Sequence, residues 1–274
     1  MPLLHLFILA VVQGITEFLP ISSSGHLVLT WQAFDAVGVQ SVGREGADRL
    51  VLDIAVHVGT LAAVCVYFRR DLGAMIAGAF RWIGGHRDEG ARLAINVAVA
   101  TLPVVIAGMG LRDRIGIFRD GTVIAATTIG FGLLLGLADR VTGTSRRLPN
   151  MQLPDALLIG FLQILALIPG TSRAGITMTG ARFLGYDRQD AARFSMLLSI
   201  PTILGAGALA AFDLASRGQG ELGLDAAIAA GFAALAAWGA IALLMRWLSR
   251  ASFTPFVVYR VLLGSGLLVL IYAL

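Results

Sequence analysis

The chain has 274 residues, of which 57% are hydrophobic and only 14% charged, and its mean hydropathy is +0.81. Those values exclude an ordinary soluble domain and indicate a polytopic membrane protein. Its 21 basic residues are all arginines, set against 17 acids for a net charge of +4; because they fall between apolar runs they report membrane topology and not nucleic-acid binding. The single cysteine, Cys65, lies inside an apolar run, which excludes an internal disulfide, a CxxC redox pair and a thiolate metal cluster.

In chain order, residues 1–20 (MPLLHLFILAVVQGITEFLP) are apolar without a basic start and are interrupted by Gln13 and Glu17, which is not the pattern of a cleaved signal peptide. Pro20 then introduces a polar stretch, ISSSGH, at 21–26. Six runs follow at 51–68, 91–111, 121–138, 190–213, 223–246 and 253–274, each long enough to cross about 30 Å of hydrocarbon as a helix. Continuous apolar runs, as opposed to alternating ones, make these spans helices and the fold class all-α. Alternating the six crossings puts 13 arginines on one side, in 69–92, 140–153, around Arg182, Arg188 and Arg193, and at 246–252. The other side receives six, in 31–50, 112–120 and 214–222. The positive-inside rule makes the first side cytoplasmic and places both termini outside.

Two segments are left over, the N-terminal one and 154–187, and they resemble each other. Setting Pro20 on Pro169 aligns FLPISSSGHLVLT with LIPGTSRAGITMT, pairs Ser22 with Thr171 and Ser23 with Ser172, and leaves Gln13 and Gln163 ahead of the two breaks. Proline in mid-apolar sequence followed by hydroxyls that cap a helix predicts a re-entrant helix–turn–helix hairpin in each copy. The chain thus reads as a single membrane domain over 1–274, with about six transmembrane helices and two hairpins in an inverted repeat. Repeat 1 covers about 1–139 and repeat 2 about 154–274. The tips of such broken helices meet near the bilayer midplane and hold a ligand.

The tips carry Glu17, Ser22, Ser23, Ser24 and His26 on one side and Thr171, Ser172 and Arg173 on the other. Ionisable groups at membrane depth are costly, so Glu17 and Arg173 are functional candidates and partners for each other. Capped helix starts with an arginine between them suit a phosphate or diphosphate. His26 follows Ser22 by four residues and Ser23 by three, on one helical face, a spacing suited to a nucleophile and its acid or base. A nearby carboxylate suits a divalent cation on the phosphates. Arg260, in mid-span, requires a phosphate or carboxylate partner, whereas His57 reads as a helix-packing residue, Asp53 as a helix-start acid, and His5 and His86 as surface histidines. No Walker loop, GxGxxG, HExxH or GxSxG motif occurs.

QGITEFLPISSSGH and PGTSRAG resemble the two signature motifs of the undecaprenyl-diphosphate phosphatases, the bacitracin-resistance type of integral membrane phosphatase. HVGTLAAVCVYFRRDL, AARFSMLLSIPTILGA and SFTPFVVYRVLLG are similar to that family in the same order, along nearly the whole chain. The resemblance implies hydrolysis of the C55 polyprenyl diphosphate to its monophosphate and inorganic phosphate, which recycles the carrier lipid of cell-wall synthesis in the bacterial inner membrane. It implies a divalent cation, Mg²⁺ or Ca²⁺, with Glu17 and Gln13 at the metal-binding positions. Glu17, Ser23, His26 and Arg173 are then catalytic, with Ser23 the preferred nucleophile, Ser22 or water its alternatives, and His26 the acid or base. Ser22, Ser24, Thr171, Ser172 and Arg260 would contact the phosphates, and the site would open to the outer side. Two positions depart from the commonest pattern: Gln13 stands where many members have Glu, and Ala174 where many have Ser. A transporter or flippase for a phosphorylated lipid is the rival class, and the oligomeric state, a homodimer included, stays open.

Overall fold

A computed structural model describes residues 1–36, 38, 45–86, 88–111, 120–141, 143, 146–216 and 223–273. Among them the regular structure is helical: α1 (Leu3–Thr16), α2 (Ser23–Ala36), α3 (Glu45–Tyr67), α4 (Arg69–Ile83), α5 (Glu89–Leu111), α6 (Gly121–Val141), α7 (Leu153–Gln163), α8 (Arg173–Phe183), α9 (Arg188–Ser216), α10 (Leu224–Leu248) and α11 (Thr254–Ala273). Six of these, α3, α5, α6, α9, α10 and α11, are long and apolar enough to cross a membrane. The pairs α1–α2 and α7–α8 are too short to cross and fold back as hairpins.

The arginine-rich ends are tied together by charge. Arg193 at the start of α9 pairs with Asp71 of α4, and Arg182 at the end of α8 donates from Nε to Asp139 Oδ1 at 3.1 Å. The same Asp139 accepts from Arg188 (2.7 Å) and from the backbone N–H of Phe253 (3.1 Å). Of the 13 arginines assigned to this face only Arg87 falls outside the described residues, whereas of the six assigned to the other face only Arg49 falls inside them. The stretch 69–92, read from sequence as a plain loop, contains α4. This is an amphipathic surface helix whose Met75 and Gly78 are buried and whose Ile76, Phe80 and Ile83 are exposed. An apolar side turned outward on a helix too short to cross is the pattern of one lying in the membrane interface.

Small residues let the spans approach closely. A Cβ built on Gly59 of α3 would lie 2.1 Å from the Ala230 carbonyl oxygen of α10. One on Gly14 would fall 2.6 Å from Ala236 Cβ, seating α1 on α10, and one on Gly160 would fall 2.5 Å from Ala100 O, seating α7 on α5. Helices without an aqueous hydrophobic drive between them rely on such backbone-close packing. Each hairpin therefore leans on one span by a glycine, and the two tips approach each other from opposite faces. At the arginine-rich entrance to α7, Asp155 accepts from the Gln152 N–H (3.3 Å), is paired with Arg146, and takes the Tyr186 hydroxyl at 2.7 Å. Burial raises the Asp155 carboxyl, but the hydrogen bonds from Arg146 and Tyr186 outweigh it and hold the group below its ordinary range.

Candidate active site

Each tip is a tight turn ending in a serine with left-handed backbone, Ser22 at φ 76° and Ser172 at φ 70°. The residue after each serine opens a helix, Ser23 for α2 and Arg173 for α8. Structural equivalence is therefore Ser22 with Ser172, and the register shifts by one residue from that obtained by setting Pro20 on Pro169. The shifted register also places Gln13 on Gln163, both fully buried. Ser172 caps α8 through its hydroxyl, which accepts from the Gly175 N–H at 3.1 Å.

The tips meet through Glu17. Its Oε1 accepts from Arg173 Nη2 at 2.7 Å, while Oε2 accepts from the Ser23 hydroxyl at 2.7 Å and from Gln13 Nε2 at 2.9 Å. Arg173 is steadied by a second bond, from Nη1 to the Ser195 carbonyl at 3.0 Å. A cavity of about 350 Å³ ends on this cluster. Glu17, Ser22, Ser23, Ser24, Ser172 and Arg173 form its polar end. Toward the mouth its walls turn apolar, with Leu50 and Ile54 of α3, Val104 of α5 and Ile203, Ala206 and Ala210 of α9. A polar end holding one carboxylate, one guanidinium and four hydroxyls, continued by an apolar channel, suits an amphiphile with a phosphorylated head.

Other residues singled out from sequence lie elsewhere. His26 is outside the cavity lining: its Nδ1 donates to the Ser22 carbonyl at 2.7 Å, and its Nε2 accepts from the Tyr259 hydroxyl at 2.5 Å, with the two rings stacked. Arg260, expected to face a phosphate, is fully buried behind the tips and bonds only carbonyls: Pro20 of one tip, Gly170 and Thr171 of the other, and Thr127 and Thr128 of α6, at 2.9 to 3.4 Å. Carbonyl dipoles from five residues replace the anionic partner that a buried cation requires. Thr171 is likewise buried away from the lining, its hydroxyl without a hydrogen bond among the described residues. Conversely, Asp53 and His57, read from sequence as a helix-start acid and a packing residue, both line the cavity. Their i, i+4 spacing puts them on one face of α3, but only the structure shows which face turns inward.

The oxygen chemistry fits a hard cation. Gln13 Oε1 is buried beside Glu17 with no hydrogen-bond partner among the described residues, and carboxylate, amide and hydroxyl oxygens are the donors that Mg²⁺ and Ca²⁺ select. No group of three His, Cys, Asp or Glu side chains is assembled among the described residues. A cation here would draw its remaining ligands from phosphate and water.

A family model described as bacitracin resistance protein BacA matches residues 6–266. The chain belongs to that family. It is 50% identical to the undecaprenyl-diphosphatase 1 of Rhodospirillum rubrum, over 99% of this chain and 96% of that one. It is 49% identical to the undecaprenyl-diphosphatase of Jannaschia sp., over the full length of both, and 49% identical to that of Hahella chejuensis, over 98% of each. The family match includes both hairpin tips and reaches into all six long apolar helices.

Proposed function

We infer that this protein hydrolyses undecaprenyl diphosphate to undecaprenyl phosphate and inorganic phosphate, and so returns the carrier lipid to cell-wall polymer synthesis. The observation that carries the reading is the Ser23–Glu17–Arg173 cluster at the blind end of an apolar-walled cavity. The tail lies along α3, α5 and α9, and the head group reaches the tips. Arg173 and the N–H groups at the starts of α2 and α8 neutralise the terminal phosphate. Ser23 Oγ attacks the terminal phosphorus as Glu17 Oε2 takes its proton, the bridging P–O bond breaks, and undecaprenyl phosphate leaves. Water then attacks the phosphoserine. The proton held by Glu17 returns to Ser23 as the P–Oγ bond breaks, and the second proton of the water leaves with the phosphate.

Glu17 and Gln13 would hold the divalent cation, Mg²⁺ or Ca²⁺, which adds charge neutralisation at the phosphates. His26, bonded to the Ser22 carbonyl, holds the strained turn that presents Ser23. In this reading the protein sits in the bacterial inner membrane; the excess of arginine on one face supports a cytoplasmic position for that face, with the cavity mouth opening to the periplasmic side. The test is phosphate release from undecaprenyl diphosphate by detergent-solubilised protein. Wild type releases it, whereas Ser23→Ala and Glu17→Gln each lose on the order of 100-fold or more. Translocation of the head group in vesicles with no phosphate released would overturn the enzyme in favour of a lipid transporter.

A further inference from the structure

We propose that His57 of α3 contacts the substrate, hydrogen-bonding the lipid-linked phosphate of the diphosphate while the tips hold the terminal one. The proposal rests on the phosphatase reading and adds a residue to it. His57 Nδ1 lies 2.6 Å from the Asp53 carbonyl oxygen. A carbonyl only accepts, so that nitrogen carries hydrogen and the ring is fixed with Nε2 directed into the cavity; phosphate oxygens also only accept, so in the proposed contact Nε2 carries hydrogen too and donates. Nε2 stands 3.8 Å from Glu17 Oε2, one step outward from the Ser23–Arg173 cluster. The ring is partly exposed, its side chain at 34% of full accessibility, and that exposure is to the cavity.

Geometry limits what else can serve the second phosphate. Ser23 and Arg173 converge on Glu17 at the blind end, so a terminal phosphate placed there sets its neighbour toward the mouth. The walls at that level are Val104, Ile203 and Ala206, which offer no hydrogen bond, and Thr202, whose hydroxyl hydrogen is committed to the Leu198 carbonyl at 2.8 Å. Asp53, one turn further out on α3, has its Oδ1 committed to the Trp31 indole N–H at 3.0 Å and is anionic besides. Among the described lining residues at that level, His57 offers a nitrogen not already donating within the protein. Its task is directional hydrogen bonding at one point, which a glutamine amide reaches equally well and an asparagine, one carbon shorter, does not.

The experiment compares wild type, His57→Gln, His57→Asn and His57→Leu as purified proteins, each first checked for an unchanged thermal transition. It measures KM and kcat for undecaprenyl diphosphate and the inhibition constant for undecaprenyl phosphate, the product that keeps the lipid-linked phosphate. Loss of a hydrogen bond to a charged group raises both KM and the inhibition constant about tenfold in the Leu and Asn variants, and the Gln variant stays within about threefold of wild type. Unchanged product inhibition in His57→Leu overturns the proposal, as does a Gln variant as impaired as Leu. If Leu misfolds, the Gln against Asn comparison decides alone. A wild-type protein that releases no phosphate is a different outcome: it sinks the phosphatase reading, and binding of undecaprenyl phosphate to wild type and His57→Asn then reads the contact directly.

Discussion

Ser22 and Ser172 share one unusual backbone conformation, at φ 76° and 70°, on tips that enter from opposite faces. Non-glycine residues rarely occupy this region, and holding one there costs about 1 kcal/mol or more. Both serines sit immediately ahead of a residue with chemistry, Ser23 and Arg173. The left-handed turn at each is what swings the next helix so that its first side chain faces Glu17.

Replacing Ser172 separates strain from capping. Ser172→Ala keeps the strained φ and deletes the hydroxyl that accepts from Gly175, a loss of about 1 kcal/mol. Ser172→Gly deletes the same hydroxyl but relieves the backbone, for a net cost of a few tenths of a kcal/mol. Thermal unfolding in detergent should rank wild type first, Gly next and Ala last, and an Ala variant as stable as Gly would refute the strain.

Much of this site was legible in the sequence, and the rest was hidden for definite reasons. Pro20 and Pro169 break apolar runs, so the hairpins and the meeting of Glu17 with Arg173 follow from membrane energetics and positive-inside counting. The register slipped by one because a proline alignment ignores backbone φ, and the two turns reach Ser22 and Ser172 from prolines two and three residues earlier. His57 and Asp53 were underrated because an apolar helix carries no period that marks its cavity side. Arg260 was assigned an anion because sequence cannot show five carbonyls converging on one guanidinium. Amphipathic α4 was missed within a run read only for its charge.

Gly59 should be intolerant of any side chain. The added Cβ would sit 2.1 Å from the Ala230 backbone oxygen, so α3 and α10 would have to part. Gly59→Ala should therefore cost about 3 kcal/mol, at the upper end of overpacking effects. Gly231→Ala, with nothing within 4 Å of its Cβ, should stay within about 0.5 kcal/mol. Folded yield and thermal midpoint of the two variants test the contrast.

Asp155 gives the arginine-rich entrance an acid-sensitive clasp. Its carboxyl is held below the ordinary range by Arg146 and Tyr186 against the opposing effect of burial. A depressed folded-state value contributes stability above the unfolded value near 3.8 and loses it as pH falls through the folded one. The thermal midpoint of wild type should drop more steeply than that of Asp155→Asn between about pH 5 and 3. Parallel curves would show that the clasp contributes nothing.

Tyr259 should act through His26. Its hydroxyl bonds the imidazole at 2.5 Å, and the imidazole holds the Ser22 carbonyl at 2.7 Å. Tyr259→Phe and His26→Gln each remove a link of the same chain, so each should lower kcat about tenfold with KM little changed, and the double variant should be no worse than His26→Gln alone. Multiplicative losses in kcat would show that the two residues act independently.

The Glu17–Arg173 pair predicts that stability and activity separate. Glu17 is 8% exposed, and removing one member of a buried pair leaves the other uncompensated, at about 3–5 kcal/mol. Arg173→Met should therefore melt lower than the double variant Glu17→Gln/Arg173→Met, in which no charge is stranded. Neither should release phosphate, because one lacks the guanidinium at the terminal phosphate and the other lacks the base for Ser23 as well. Arg173→Lys keeps the charge but cannot bond Glu17 and the Ser195 carbonyl with the same fork, so it should fold normally and retain about 1–10% of kcat. Full activity in Arg173→Lys would mean that charge alone suffices and that the fork linking the two tips has no part in catalysis.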